Sequence, residues 1–224
     1  MKKDEIDPSK KKSVTRTTFL KKAGSQTVDI RVGEEMKLFR VHKSLLCTRV
    51  PYFNKMFNSG FSESTTNSAV LREDDLEAFD VLVDWVYTSI LPPDADLWGL
   101  VGVYVLADKI CLPELMDQVM DTIQAKYPLH PSDASDIYSI LPKGSKLRLL
   151  ALDMITFEFT KPMNAQLDIS KLADVNAKNE EFALDFLIKI RSHMSRQTAI
   201  PNPRKSRSCT YHSHEDGKCT RTRK

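Results

Sequence analysis

The sequence predicts an α/β (α+β) fold in which a small, mainly antiparallel sheet is covered by a cluster of helices and followed by an α-helical extension. Two observations predict it. Apolar and polar residues alternate near residues 28–41, and apolar residues at helical spacing then recur along most of the chain up to residue 195. A period of two is typical of a half-buried strand, and a period of 3.6 is typical of an amphipathic helix.

The N-terminal part of the folded region is predicted to form strands. Residues 28–32 alternate valine and isoleucine with charged residues, which predicts a half-buried strand. Gly33-Glu34-Glu35 interrupts the pattern, and Met36–Val41 predicts a second strand, so the pair forms a hairpin. Ala69-Val70-Leu71 predicts a short third strand.

Helical patterns follow the hairpin. Apolar residues between 45 and 57 have helical spacing. Asp74 and Glu77 have the spacing of a capping box, which predicts Asp74 as the N-cap of the next helix. Residues 97–110 are apolar nearly all round and predict a buried central helix, and a further helix begins at Leu112-Pro113-Glu114.

A proline-bounded linker at Tyr127–Pro131 separates these elements from a second helical region. Helical periodicity there covers 132–141, 145–159 and 180–195. The chain therefore divides into four parts: a basic flexible N-terminal arm at 1–24, a folded domain at 25–126, a helical extension at 127–195 and a basic disordered tail at 196–224.

Charge is distributed unevenly along the chain. Residues 1–22 hold eight basic and three acidic residues, and residues 196–224 hold eight basic and two acidic ones. Since the whole chain carries +3, the body between these arms carries −8. Basic arms attract nucleic acid or acidic partners, but ordinary disordered termini have the same composition.

The sequence contains no pattern typical of a membrane or secreted protein. The longest apolar run, Leu97–Ala107, is shorter than the about 20 residues that a membrane span needs. No hydrophobic leader follows Lys2–Glu5, and four cysteines are few for a secreted disulfide scaffold. We therefore expect a reduced compartment, the cytoplasm or the nucleus, and no contact with a membrane.

Enzymatic chemistry has no support in the sequence. The phosphate-binding, dinucleotide-binding and nucleophile-elbow glycine motifs do not occur, and seven glycines in 224 residues leave little scope for them. We expect a protein that is not an enzyme and needs no cofactor.

Residues 28–57 resemble the opening of a BTB (POZ) domain, a protein–protein interaction fold. The motifs that carry the resemblance are Val28-Asp29-Ile30, Phe39-x-Val41-His42-Lys43-x-Leu45-Leu46 and Tyr52-Phe53-x-x-Met56-Phe57. The resemblance continues to Leu112-Pro113-Glu114-Leu115 and covers roughly residues 27–126. The helical extension is similar to those of fungal BTB proteins.

The resemblance implies a partner-binding site just after the Met56-Phe57 helix. BTB adaptors of cullin-based ubiquitin ligases carry a hydrophobic-x-Glu motif there, and Phe61-Ser62-Glu63 matches it. By this resemblance Phe61 fills an apolar pocket on the cullin scaffold and Glu63 positions the loop, with Met56 and Phe57 beside them. The alternative is that Phe61 packs on its own domain and Glu63 is solvated.

Asp29 and Lys43 match a charged pocket near the dimer cleft of transcription-repressor BTB domains. The alternative is an ion pair that stabilises the fold, because a charge beside a buried strand needs a partner. Many BTB dimers exchange an N-terminal strand, but residues 14–23 offer only the apolar pair Phe19-Leu20, framed by lysines. A face-to-face homodimer and a monomer both stay open.

The C-terminal tail contains Cys209, His212, His214 and Cys219 within eleven residues. Such ligands can in principle close a tetrahedral zinc site. The spacing matches no common zinc finger, however, and Tyr211 is the one hydrophobic residue that could pack on the ion. We therefore assign no metal site and keep these four residues only as a candidate.

The sequence favours a protein–protein interaction adaptor built on a BTB domain. The more specific hypothesis is a substrate adaptor that links a cullin-based ubiquitin ligase to a target. Its alternative is a nuclear self-associating scaffold, or a transcription-linked BTB protein, whose basic tails contact nucleic acid.

Overall fold

The computed structural model describes residues 23–161, 169–196, 200–206, 209–214 and 219. The predicted N-terminal arm lies almost wholly outside this part, as does the Phe19-Leu20 pair. Within the described residues the strands form one sheet of three: β1 (Thr27–Val32), β2 (Lys37–His42) and β3 (Ser68–Leu71). The order is β2-β1-β3, with β1 antiparallel to β2 and parallel to β3. The predicted fold class is confirmed, and the sheet is mixed.

The alternating pattern of β1 sets which face of the sheet is buried. Val28, Ile30 and Val32 are fully buried, as the period of two predicts. The opposite face is exposed and carries a row in which Arg31 lies between Leu38 of β2 and Val70 of β3. One side of this sheet therefore belongs to the core and the other faces solvent.

The parallel pairing of β3 follows from the connection that precedes it. Three helices join β2 to β3: α1 (Lys43–Arg49), α2 (Pro51–Asn58) and α3 (Ser62–Thr66). They carry the chain back to the edge of the sheet next to β1, which a short hairpin turn cannot do for a parallel strand. Asn67, in the left-handed region with φ of 49°, ends α3 and turns the chain into β3.

The helical cluster that covers the sheet contains α4 (Leu76–Thr88), α5 (Leu97–Lys109) and α6 (Pro113–Lys126). Its core includes an aromatic cluster in which Phe79 makes edge contacts with Phe39 and Phe53, at centroid distances of 5.0 and 6.2 Å. Trp85 is fully buried beside it. The buried central helix predicted at 97–110 is confirmed as α5, and its apolar residues pack on both α4 and α6.

The predicted N-cap of α4 is wrong by one residue. Asp75, not Asp74, caps the helix, and its carboxylate accepts a hydrogen bond of 2.7 Å from the Ala78 backbone N–H. Asp74 instead accepts a hydrogen bond of 2.8 Å from the Lys109 ammonium on α5. Two adjacent aspartates both fit the start of a helix, and the long-range ion pair decides between them.

The helical extension contains α7 (Pro131–Ile140), α8 (Lys146–Phe159), α9 (Ile169–Lys178) and α10 (Glu180–Arg196). Three of these correspond to predicted helices, and α9 was not predicted. Arg148 of α8 is largely buried, donates a 2.8 Å hydrogen bond to Glu181 of α10 and lies over the Tyr138 ring. A charged contact therefore joins α8 to α10, and the helices of the extension pack against one another.

Part of the C-terminal tail folds back onto the helices. Arg204 donates a 2.7 Å hydrogen bond to the Ala125 carbonyl at the end of α6, and the Tyr211 hydroxyl donates one of 2.8 Å to Asp153 of α8. Residues 200–206 and 209–214 thus differ from the disordered tail predicted at 196–224, because polar groups far away in sequence bind them. No helix in the described part of the chain is both long and apolar enough to cross a membrane.

Candidate protein-binding site

The loop between α2 and α3 presents an aromatic side chain to solvent. Phe61 is 60% exposed, so the alternative that it packs on its own domain does not hold. Its backbone is held in place, because its carbonyl accepts hydrogen bonds from the Ser64 N–H at 3.0 Å and from the Ser64 hydroxyl at 2.6 Å. The result is an exposed aromatic ring on a turn that hydrogen bonds hold in place.

The other predicted contact residues near Phe61 differ in how far they are buried. Glu63 is half-buried in the first turn of α3 and accepts a 3.0 Å hydrogen bond from the Ser62 hydroxyl. Met56 is half-buried and packs against the core. Phe57 is 1% exposed and stacks on Phe53. Its burial corrects its assignment as a contact residue, since Phe57 belongs to the hydrophobic core and presents almost no surface to a partner.

The two residues of the predicted charged pocket have different partners. Asp29 forms a bidentate pair with Arg40, its cross-strand neighbour on β2, at 2.8 and 2.9 Å. Hydrogen bonding from Arg40 holds the pKa of the Asp29 carboxyl below its usual value. Lys43 donates a 3.0 Å hydrogen bond to the side-chain oxygen of Asn67.

Asn67 joins the two positions, since its backbone carbonyl also accepts from the Asp29 N–H at 2.9 Å. The geometry therefore favours a structural role for both charges, with Arg40 as the ionic partner of Asp29. The sequence did not single out Arg40, although its place opposite Asp29 follows once the register of the hairpin is known.

A second exposed apolar surface lies on the helical extension. Leu184, Leu187 and Ile188 of α10 are 58%, 62% and 57% exposed. Their spacing of three and four residues places them on one side of the helix. We call these three residues the α10 strip. The sequence contained the signal for it, a second apolar face beside the one formed by Phe182 and Phe186.

The candidate metal ligands of the tail come together in the structure. One ligand atom from each of Cys209, His212, His214 and Cys219 can be chosen so that all four lie within 4.8 Å of one another. The surroundings of this cluster include two carboxylates of α6, Asp117 and Asp121. Neither carboxylate was recognised from the sequence, where nothing links α6 to a tail about 90 residues later.

A small sheet with one solvated face, a helical cover and an exposed aromatic turn define a protein–protein interaction domain. Residues 19–127 match the model of the BTB/POZ domain family. This part of the chain is therefore a BTB/POZ domain, as the resemblance of its motifs implied.

Several BTB proteins are similar to this chain. The Xenopus laevis protein "Inhibitor of Bruton tyrosine kinase" is 26% identical over 149 residues, which are 65% of this chain and 11% of that protein. The mouse "TD and POZ domain-containing protein 3" is 30% identical over 129 residues, 52% of this chain and 32% of the relative. The human "Kelch repeat and BTB domain-containing protein 8" is 28% identical over 117 residues, 51% of this chain and 19% of the relative. The chain thus matches a third or less of the length of each.

Proposed function

We propose that this protein is an interaction adaptor whose Phe61 loop binds the scaffold of a cullin-based ubiquitin ligase. The observation that carries the proposal is the 60% exposure of Phe61 on a turn that its own hydrogen bonds hold. An aromatic side chain on an ordered backbone loses little conformational freedom on binding. Such side chains supply a large share of the energy of protein interfaces.

The family supports the coarser part of the proposal. BTB domains act as protein-interaction modules, and the similar proteins combine this domain with other parts, such as the Kelch repeats named in one of them. The activity that we propose is binding without a covalent step and without a cofactor in the reaction. The small number of cysteines favours the cytoplasm or the nucleus as its location.

The proposed contact set is Phe61 with Glu63 and the exposed part of Met56, whereas Phe57 stays in the core of the domain. We assign target binding to the helical extension, because the α10 strip exposes three large aliphatic side chains on one side of a helix. Exposed apolar patches of this kind are typical of interaction surfaces. The two surfaces would then serve two different partners.

The test of cullin binding uses the full chain and a purified cullin N-terminal domain in a calorimetric titration. We expect Phe61→Ala to weaken binding about 30-fold or more, the loss that corresponds to about 2 kcal/mol for an anchor residue. Glu63→Lys should weaken it as well by reversing a charge in the loop. Ile90→Ala is the matched control, since Ile90 is an exposed aliphatic residue (68%) that lies outside the loop.

The two possible failures have different meanings. Absence of binding by the wild-type chain would contradict the cullin assignment. Binding that persists in Phe61→Ala would place the contact on another surface.

The alternative is a nuclear self-associating scaffold, and the α10 strip is the observation that favours self-association. A homodimer that buries the strip would be reduced to a monomer by Leu187→Asp in sedimentation experiments. Nucleic-acid binding by the basic tail finds less support, because Arg204 already donates hydrogen bonds to two carbonyls at the end of α6. DNA retention that falls steeply with salt concentration would nevertheless favour this alternative.

A further inference from the structure

The Cys/His cluster of the C-terminal tail gathers four potential ligands at distances close to those of a tetrahedral metal site. Zinc binds thiolate sulfur at about 2.3 Å and imidazole nitrogen at about 2.0–2.1 Å, so tetrahedral ligands lie roughly 3.3–3.8 Å from one another. In the structure the Cys219 Sγ lies 3.8 Å from the His212 Nδ1, and one ligand atom from each of the four residues fits within 4.8 Å. The rings of His212 and His214 converge at a centroid distance of 4.9 Å.

The hydrogen bonds of the two histidines select one nitrogen of each ring for an ion. His212 Nε2 lies 2.9 Å from the Asp121 Oδ1, and its Nδ1 faces Cys219. His214 Nδ1 contacts the Asp117 carboxylate, so its Nε2 is the nitrogen that remains. A neutral imidazole that donates one N–H to a carboxylate directs the lone pair of its other nitrogen toward a metal. Metal-binding histidines in proteins almost always have such an outer partner.

The burial of Asp117 and His212 is a second, independent observation that points to a metal site. The Asp117 side chain is only 7% exposed, and its other oxygen accepts a 2.6 Å hydrogen bond from the Ser213 backbone N–H. His212 is 5% exposed. Asp117 and Asp121 lie one turn apart on α6, so a single helical face serves both histidines. The BTB domain thereby supplies the rigid support that a short Cys/His segment lacks by itself.

We propose that Cys209, His212, His214 and Cys219 bind one zinc ion that fixes the C-terminal tail to helix α6. Two thiolates balance the charge of Zn²⁺, and a set of two sulfur and two nitrogen ligands in a tetrahedron is one that zinc prefers. All four positions come from the protein, so the site is closed and structural. This inference does not depend on the proposed cullin contact.

The first experiment measures metal content in the full chain, expressed in zinc-supplemented medium and purified without chelators. Elemental analysis should find about one zinc per wild-type chain. Cys219→Ser and His214→Ala should each remove most of it. Cys111→Ser should retain it, because Cys111 is an exposed cysteine outside the cluster. The proposal would be overturned by a wild-type chain that contains no zinc. A disulfide between Cys209 and Cys219 in protein kept under reducing conditions would overturn it as well.

Cobalt substitution tests the ligand set directly. Co²⁺ bound to the apo chain should show the intense visible bands of tetrahedral coordination, together with the thiolate-to-metal charge-transfer band. The charge-transfer band should fall by more than half in Cys219→Ser, because this variant loses one thiolate and much of its affinity for the metal. An octahedral spectrum in the wild-type chain would contradict the site.

The outer carboxylates offer variants that keep all four ligands. Asp121→Asn should lower zinc affinity about 10- to 100-fold in a competition with a chromophoric chelator. Asp136→Asn removes the same charge from an exposed position on α7 and should leave the affinity unchanged. Equal affinities for these two variants would show that α6 does not orient the histidines and would refute the assigned geometry.

Discussion

The BTB domain packs around apolar residues at regular spacing, whereas the C-terminal tail is attached to the same domain mainly through polar side chains. In the domain, Phe53, Phe57 and Phe79 are almost completely buried, and Phe53 contacts each of the other two. In the tail, Arg204 and Tyr211 donate hydrogen bonds to groups on α6 and α8. The helical extension lies between these extremes, with an apolar core crossed by the Arg148–Glu181 pair.

This difference shows that the size of a stabilising contribution and its geometric specificity come from different kinds of contact. Burial of a large apolar side chain contributes a few kcal/mol whatever its exact neighbours are. A hydrogen bond contributes less in net terms, but it requires one donor and one acceptor at a defined distance. Apolar packing therefore accounts for most of the stability of the domain, and polar contacts decide where the tail lies.

The largest loss of stability should come from Phe57→Ala in the domain core. Removing a buried phenylalanine costs about 3–5 kcal/mol of unfolding free energy, because transfer energy is lost and a cavity is left. Phe61→Ala is the matched control, four residues away and 60% exposed, and should change stability by less than about 0.5 kcal/mol. Urea denaturation of both variants measures the difference. Similar losses would mean that the Phe61 ring packs on the domain in solution.

A smaller effect should follow from Glu181→Gln in the extension. The change leaves the largely buried Arg148 without its carboxylate and should lower the free energy of unfolding at neutral pH by less than Phe57→Ala does, since Glu181 itself is partly exposed and its ion pair is screened by solvent. Glu180→Gln, at an exposed neighbouring position, is the control.

The cost of Glu181→Gln should also depend on pH. Hydrogen bonding from Arg148 lowers the pKa of Glu181 in the folded chain. Its contribution is therefore complete above the unfolded pKa of about 4.3 and is lost as the pH falls through the lower folded pKa. Denaturation curves of the wild type and the variant should converge in acid. A constant difference across this range would show that the carboxylate charge is not the stabilising feature.

The smallest effect should come from Tyr211→Phe in the tail. Burial, together with the Asp153 carboxylate, raises the pKa of Tyr211, so the hydroxyl stays protonated and donates its hydrogen bond. Its loss should cost about 0.5–1.5 kcal/mol. Hydrogen exchange should then accelerate about 2- to 10-fold in peptides of residues 200–214, and peptides of α5 should be unaffected. Acceleration in both sets would mean that the tail and the domain unfold as one unit.

The parts of the fold that the sequence predicted are those governed by local periodicity. The buried face of β1 and the central helix α5 follow from spacing alone. The position of β3 beside β1 does not, because parallel pairing depends on the path of three intervening helices. The helix α9 was missed because its two buried residues, Leu172 and Val175, give only one turn of apolar pattern.

The candidate site was predictable to a similar extent. Phe61 and Glu63 were found through a family motif, but the burial of Phe57 could not be distinguished from exposure within that motif. The partner of Asp29 required the register of the hairpin. The setting of the tail cluster required Asp117 and Asp121, which are separated from the histidines by about 90 residues. Long-range polar contacts of this kind have no periodic signal.

The attachment of the tail to α6 also means that α6 is synthesised well before the segment that covers it. His212 follows its partner Asp121 by 91 residues. At a translation rate of about 5–20 residues per second, the ribosome needs roughly 5 to 20 s to make this interval. During that time Asp117 and Asp121 lack the tail residues that bind them in the complete chain. Every newly made chain therefore passes through a stage in which α6 presents an uncovered acidic face to the cell.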